Sequence, residues 1–88
     1  MKYRSRTDIV SQILDAATGG STKTRIMYKA YLSYAQLKEY LSILVENGLL
    51  VYEEEEQRYR TTEKGNKFIK AYQHMDMLSG SMETPVKK

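Results

Sequence analysis

Residues 31–37 read Tyr31-Leu32-Ser33-Tyr34-Ala35-Gln36-Leu37, and this stretch decides the architecture. Ser33 followed three positions later by Gln36 has the spacing of a capping box: the serine hydroxyl accepts from the Gln36 amide while the Gln36 side chain reaches back. A helix therefore begins after Ser33. Leu37, Leu41, Leu44 and Val45 recur at helical spacing as its buried stripe, and Asn47-Gly48 closes it. Upstream, Ser21 or Thr22 opens a short helix that turns Ile26, Met27 and Ala30 inward and ends near Tyr31. Only Tyr31, Leu32 and Ser33 separate these two helices, and so short a join forces them to cross steeply, as in a helix-turn-helix.

Working outward, Ile9, Val10, Ile13, Leu14 and Ala17 form one apolar stripe opposite Asp8, Ser11, Gln12 and Asp15. This predicts a first helix over 8–18, capped by Thr7 and stopped by Gly19-Gly20. Beyond Gly48, Leu49–Glu53 and Gln57–Thr61 read as two short strands joined by the polar turn Glu54-Glu55-Glu56, with Tyr59 facing inward. Thr62 caps a last helix to about Leu78, whose apolar positions are Phe68, Ile69, Ala71, Tyr72, Met75 and Leu78. Residues 79–88 are small, polar and charged and predict a disordered tail. The expected fold class is α+β, mainly α, in one domain over 1–78 with 62–78 as its C-terminal helix.

The 88 residues contain no cysteine, which removes disulfides, thiolate metal sites and cysteine nucleophiles together. So small a core is marginally stable, and dimerisation is the usual source of added stability. No apolar run is long enough for a signal core or a membrane span, so a cytoplasmic location is expected. The formal charge of +3 is unevenly spread: residues 1–45 carry seven Lys/Arg against three Asp/Glu, and 46–88 carry seven against eight. A basic front half suits a polyanionic partner, although many solvated faces look the same. Eight tyrosines accompany one phenylalanine and no tryptophan. Tyrosine buries a ring while its hydroxyl reaches water or phosphate, though at least half of these rings are expected simply to pack.

An enzyme fails by inventory. His74 is the lone histidine, with no second histidine or cysteine to form a dyad or metal site, and it is expected on the surface of the last helix. The carboxylates at 53–56 lack the spacing of a calcium loop. Gly19-Gly20-Ser21-Thr22-Lys23-Thr24 has a faint likeness to a nucleotide-binding loop but lacks a glycine directly before the lysine and a preceding strand. No catalytic residue, metal or cofactor is expected.

The run Thr24-Arg25-Ile26-Met27-Tyr28, then Leu32-Ser33-Tyr34, then Leu37 through Tyr40-Leu41, Leu44 and Gly48-Leu49 resembles archaeal winged-helix DNA-binding proteins. These include the dimeric ten-kilodalton chromatin-type family of Sulfolobus and related transcription regulators. The likeness spans roughly Asp8 to Tyr72. It implies double-stranded DNA as partner, a recognition helix over 33–46, and a homodimer built through the C-terminal helix in an antiparallel coiled coil. Here that helix holds only about two heptads, so the dimer is expected to be weaker or differently arranged. Phe68, Ala71, Tyr72, Met75 and Leu78 are the candidate dimer contacts. The apolar face is otherwise explained by packing on helix one, which is expected of Phe68 and Ile69.

In such a fold the recognition helix enters the major groove and flanking elements hold phosphates. Ser33, Tyr34, Gln36, Lys38 and Glu39 point outward near its start. Gln36 matches adenine and Lys38 guanine. The capping box competes for Gln36, so phosphate contact by Lys38 ranks above base reading by Gln36. Thr22, Lys23, Thr24 and Arg25 open helix two, where free amides and the helix dipole favour a phosphate, a solvated basic turn being the alternative. Four glutamates at the hairpin tip repel a phosphate backbone. Arg58 and Arg60 share a face that either touches the backbone or neutralises the glutamates across the hairpin. Lys2, Arg4 and Arg6 are expected either as a minor-groove arm or as a frayed basic end. The competing function is a winged-helix protein-interaction module, for which Tyr40 and Ile43 on the far side of helix three would supply the contact.

Overall fold

The computed structural model describes residues 4–83, with side chains described to residue 75. The element order is α1 (Arg6–Ala16), α2 (Lys23–Ala30), α3 (Tyr34–Glu46), β1 (Leu50–Glu53), β2 (Arg58–Thr61) and α4 (Glu63–Glu83). Ile13, Leu14, Ile26, Leu37, Leu44 and Leu50 are fully buried side chains at the centre of the fold, and Ala17, Ala30, Leu32 and Leu41 complete the packing. α1, α2 and α3 thus contribute the apolar stripes expected of them, except that Val45 faces outward and Ser11, assigned to the polar side of α1, is buried, while of α4 only Phe68 and Ile69 pack against this core. No described helix is long and apolar enough to cross a membrane.

α1 begins two residues before the predicted start, because Ser5 and not Thr7 caps it. The Ser5 hydroxyl accepts from the Asp8 amide at 3.0 Å and the Asp8 carboxylate accepts from the Ser5 amide at 3.0 Å. This reciprocal capping box outcompetes a lone threonine. Thr22 caps α2 and Ser33 caps α3, the latter with the full Ser33–Gln36 box. α2 ends at Tyr31, whose backbone is left-handed (φ 54°, ψ 52°), a conformation usually taken by glycine at this position. Asn47 closes α3.

β1 and β2 pair antiparallel, with Leu50 opposite Thr61 and Glu53 opposite Arg58. Both strands are a residue shorter than predicted: Leu49 belongs to the turn after α3, and Gln57, with φ 53°, to the hairpin turn. The sheet alternates as a two-residue period requires, with Leu50, Tyr52, Tyr59 and Thr61 on the inner face and Val51, Glu53, Arg58 and Arg60 on the outer. The Tyr52 and Tyr59 rings, directly opposed, pack at 4.8 Å between centroids.

Three long-range joins hold the hairpin to the helices. Ser21 pairs with Tyr59 in an isolated antiparallel bridge, exchanging two backbone hydrogen bonds of 2.8 Å. The Thr61 hydroxyl donates to the Leu14 carbonyl at 2.5 Å inside the core. Thr62 caps α4, accepting from the Gly65 amide at 3.1 Å and donating to the Gly48 carbonyl at 2.6 Å. α4 then continues to Glu83, past the predicted end at Leu78, so 79–83 extend the helix instead of opening a disordered tail. Residues 84–88 of that predicted tail lie outside the described residues.

Candidate nucleic-acid interface

The first turns of α2 and α3 open onto one surface. At α2, the Thr22 hydroxyl accepts from the Arg25 amide at 3.3 Å, and the first-turn amides lie at the positive end of the helix dipole. Thr22, Thr24 and Arg25 are exposed and Lys23 is half-buried. At α3, Ser33, Tyr34, Gln36, Lys38 and Glu39 are all exposed, as predicted.

Tyr34 ties the two turns together. Lys23 donates to the Tyr34 hydroxyl at 3.4 Å and its ammonium stands 5.1 Å from the ring centroid. The Lys38 ammonium approaches the same ring at 5.8 Å. Two cations from different helices therefore flank one ring by cation–π attraction. The structure brings Thr22, Lys23, Ser33, Tyr34, Gln36 and Lys38 together as one basic, hydroxyl-rich surface.

Three depressions extend this surface. A shallow groove of about 520 Å³ runs over the outer face of α3, lined by Ala35, Gln36, Lys38, Glu39 and Ser42. A second, of about 320 Å³, lies where α3 meets the hairpin and includes Lys23, Lys38, Val45 and Tyr59. A third, of about 450 Å³, separates the start of α2 from the hairpin and is lined by Thr22, Lys23, Thr24, Tyr52, Gln57 and Tyr59. Neighbouring depressions share the walls Lys38, or Lys23 and Tyr59, so all three lie side by side along this surface. Sequence reading missed Tyr52 and Gln57 here, because the bridge from Ser21 to Tyr59 brings them to α2 and no local pattern announces it.

Arg58 and Arg60 are committed to Glu53. Arg58 Nε donates to one carboxylate oxygen at 2.9 Å and Arg60 Nε to the other at 2.8 Å. The Arg60 bond first, then that of Arg58, holds the Glu53 carboxyl below its ordinary range, and Glu53 in turn raises Arg60. Of the two readings of these arginines, charge neutralisation across the hairpin is the one the geometry realises, with Glu53 as the acceptor. Arg58 also lies across Gly20, where an added Cβ would stand 2.8 Å from Nε. The φ of 98° is what favours glycine at position 20, since the flexible Arg58 side chain can move away from an added Cβ.

Two other expectations are corrected. Arg4 is neither a loose arm nor a frayed end: it donates to the Ala30 carbonyl, to the Tyr31 carbonyl at 2.9 Å and to Gln12 at 2.5 Å, closing the C-terminus of α2. Unsatisfied carbonyls at a helix end attract such a cation. Tyr40 is half-buried against the core, so of the Tyr40–Ile43 pair only Ile43 is broadly exposed.

On α4, Phe68 and Ile69 pack against the core as expected. Tyr72, assigned to a partner subunit, instead donates its hydroxyl to Asp8 of α1. That bond is the main reason the Asp8 carboxyl sits below its ordinary value, with the Ser5 amide adding to it. Ala71 and Met75 are exposed, and the side chain of Leu78 lies outside the described residues. His74 is exposed on α4, and among the described residues no three His, Cys, Asp or Glu groups are placed to hold a metal.

A helix-turn-helix followed by a hairpin that packs beside the recognition helix defines a winged helix. The model of the winged helix-turn-helix family matches residues 3–80, and the chain belongs to that family. Among solved structures it is similar to Sso10a-2, a DNA-binding protein from Sulfolobus solfataricus, with a TM-score of 0.82 and 26% identity over 96% of this chain and 90% of that one. No curated protein shows significant similarity.

Proposed function

We propose that the chain binds double-stranded DNA, with α3 in the major groove and the first turn of α2 on phosphates. The observation that carries this reading is the meeting of Lys23 and Lys38 on Tyr34, which sets two ammonium groups at the junction of the two helix starts. Thr22, Thr24 and Arg25 extend the phosphate contact along α2, and Ser33 and Gln36 face the groove. The likeness to Sso10a-2, itself a DNA-binding protein, supports the same function here and an archaeal kinship. Arg58 and Arg60 act through Glu53 to shape the hairpin and contribute to DNA contact only when that carboxylate is displaced.

The role is that of a transcription regulator or chromatin-type protein and not of an enzyme. It acts as a homodimer through α4, whose exposed Ala71 and Met75 lie one helical turn apart, with Leu78 continuing the stripe in sequence. Phe68 and Tyr72, turned toward α1, brace that helix. The second reading, a protein-interaction module, is favoured by one feature, the exposed acidic tip Glu54-Glu55-Glu56.

Fluorescence anisotropy with a labelled random duplex of about 30 base pairs, titrated over a range of salt, tests the DNA reading. Binding that weakens steeply with salt supports it. Absence of binding at low salt overturns general DNA binding and leaves the interaction module. Sedimentation equilibrium of the full chain and of Met75→Glu tests the dimer.

A further inference from the structure

We propose that the recognition face of α3 favours G·C over A·T base pairs, because the capping box leaves the Gln36 amide with only donors for a base edge. This rests on the DNA reading above. Gln36 Oε1 accepts from the Ser33 backbone amide at 3.1 Å and from the Ser33 hydroxyl at 3.2 Å. A carbonyl oxygen has two lone pairs, and both are occupied. Since a backbone amide can only donate, the oxygen and not the nitrogen of the Gln36 side chain must face it, which directs the NH₂ group away from Ser33.

Glutamine reads adenine by pairing an acceptor with the N6 amino group and a donor with N7. Here the acceptor half is already used. Guanine, in contrast, offers two neighbouring acceptors, O6 and N7, to the two N–H bonds that remain. Against adenine one of those N–H bonds would confront the N6 amino group, leaving two donors opposed.

Glu39 strengthens the same preference. It lines the same groove as Gln36, three residues on and so on the same helical face, and it is exposed. A carboxylate only accepts, which matches the N4 amino group of cytosine. Gln36 and Glu39 together present donor, donor, acceptor, the complement of the acceptor, acceptor, donor edge of a G·C pair. Lys38, whose ammonium lies 5.8 Å from the Tyr34 ring centroid, lines the same groove and can only donate, so it adds no acceptor for adenine. The Ala35 methyl in the same groove offers thymine only a small apolar contact.

The test is anisotropy of the full chain on two duplexes of equal length at one salt concentration, one G·C-rich and one A·T-rich without A-tracts. The G·C-rich duplex is expected to bind tighter by about fivefold or more, the yield of one good base contact. Gln36→Ala keeps the Ser33 hydroxyl on the backbone amide of residue 36, and so the helix cap, but removes the donors without adding an acceptor. The ratio of the two affinities should then fall toward one while binding stays salt-dependent. Equal, salt-dependent affinity of the unaltered chain for both duplexes overturns the preference and leaves DNA binding standing. A ratio unchanged in Gln36→Ala overturns the role of Gln36. No binding to either duplex overturns the underlying DNA reading.

Discussion

Lys23 at the start of α2 and Tyr34 at the start of α3 are joined across the helix-turn-helix, the lysine ammonium 3.4 Å from the phenol oxygen and 5.1 Å from the ring centroid. With Lys38 on the same ring, the junction concentrates positive charge where a phosphate would pass. Lys23→Ala and Lys38→Ala should each weaken DNA binding and reduce the slope of log K against log salt by about 0.9, the value for one lost phosphate contact. The weakening should be nearly the same for every duplex sequence, as measured by salt titrations on several duplexes.

Glu53 neutralises two arginines on the outer face of the hairpin. Glu53→Gln should release Arg58 and Arg60, so that DNA binding tightens and its salt slope steepens. An unchanged slope in the variant would mean that the hairpin stays away from DNA whatever its charge.

The bond from Tyr72 to Asp8 ties α4 to α1 and lowers the Asp8 carboxyl below its ordinary value. A carboxyl lowered in the folded state adds stability above its unfolded pKa, and that stability is lost as pH falls through the folded value. Tyr72→Phe should therefore raise the Asp8 pKa in a carboxyl NMR titration. It should also lower Tm at neutral pH more than in strong acid, where Asp8 is protonated in both states.

Gly65 is in ordinary helical conformation but has no room for a side chain: a Cβ would stand 2.5 Å from the Leu49 carbonyl oxygen and 2.6 Å from a Thr61 methyl. Gly65→Ala should be destabilising by about 1–3 kcal/mol in spite of alanine's better helix propensity. At roughly 4–8 °C per kcal/mol, the loss is readable by thermal unfolding.

Tyr31 presents the opposite case. Its ring is 82% exposed while its backbone is left-handed. Tyr31→Gly should raise stability by about 1 kcal/mol, because the αL conformation carries a penalty of that order in a residue with a Cβ. An unchanged or lower Tm would show that the ring or glycine's extra unfolded-state entropy outweighs that penalty.

The sequence by itself determined the starts of α3 and α4, because Ser33 and Thr62 each find their partner within four residues and need nothing from the rest of the chain, and it narrowed the start of α2 to Ser21 or Thr22, of which Thr22 is the cap while Ser21 pairs with Tyr59. It also determined which faces of α1, α2 and α3 are buried, Ser11 and Val45 apart, through helical periodicity, and the basic character of the α2 start. The Ser5–Asp8 capping box is equally local, but Asp8 in place of the usual Glu or Gln at the third position makes it a weaker signal than Ser33–Gln36. Only the tertiary structure decided what the charged and tyrosyl side chains do. The sites of Arg4 on the end of α2, Arg58 across Gly20, Tyr72 on Asp8, and Tyr52 and Gln57 beside α2 all join residues far apart in the chain. Their charges and hydroxyls suit several partners equally well, so distance along the sequence hides the choice, and packing of the core makes it by fixing which groups come within hydrogen-bonding reach.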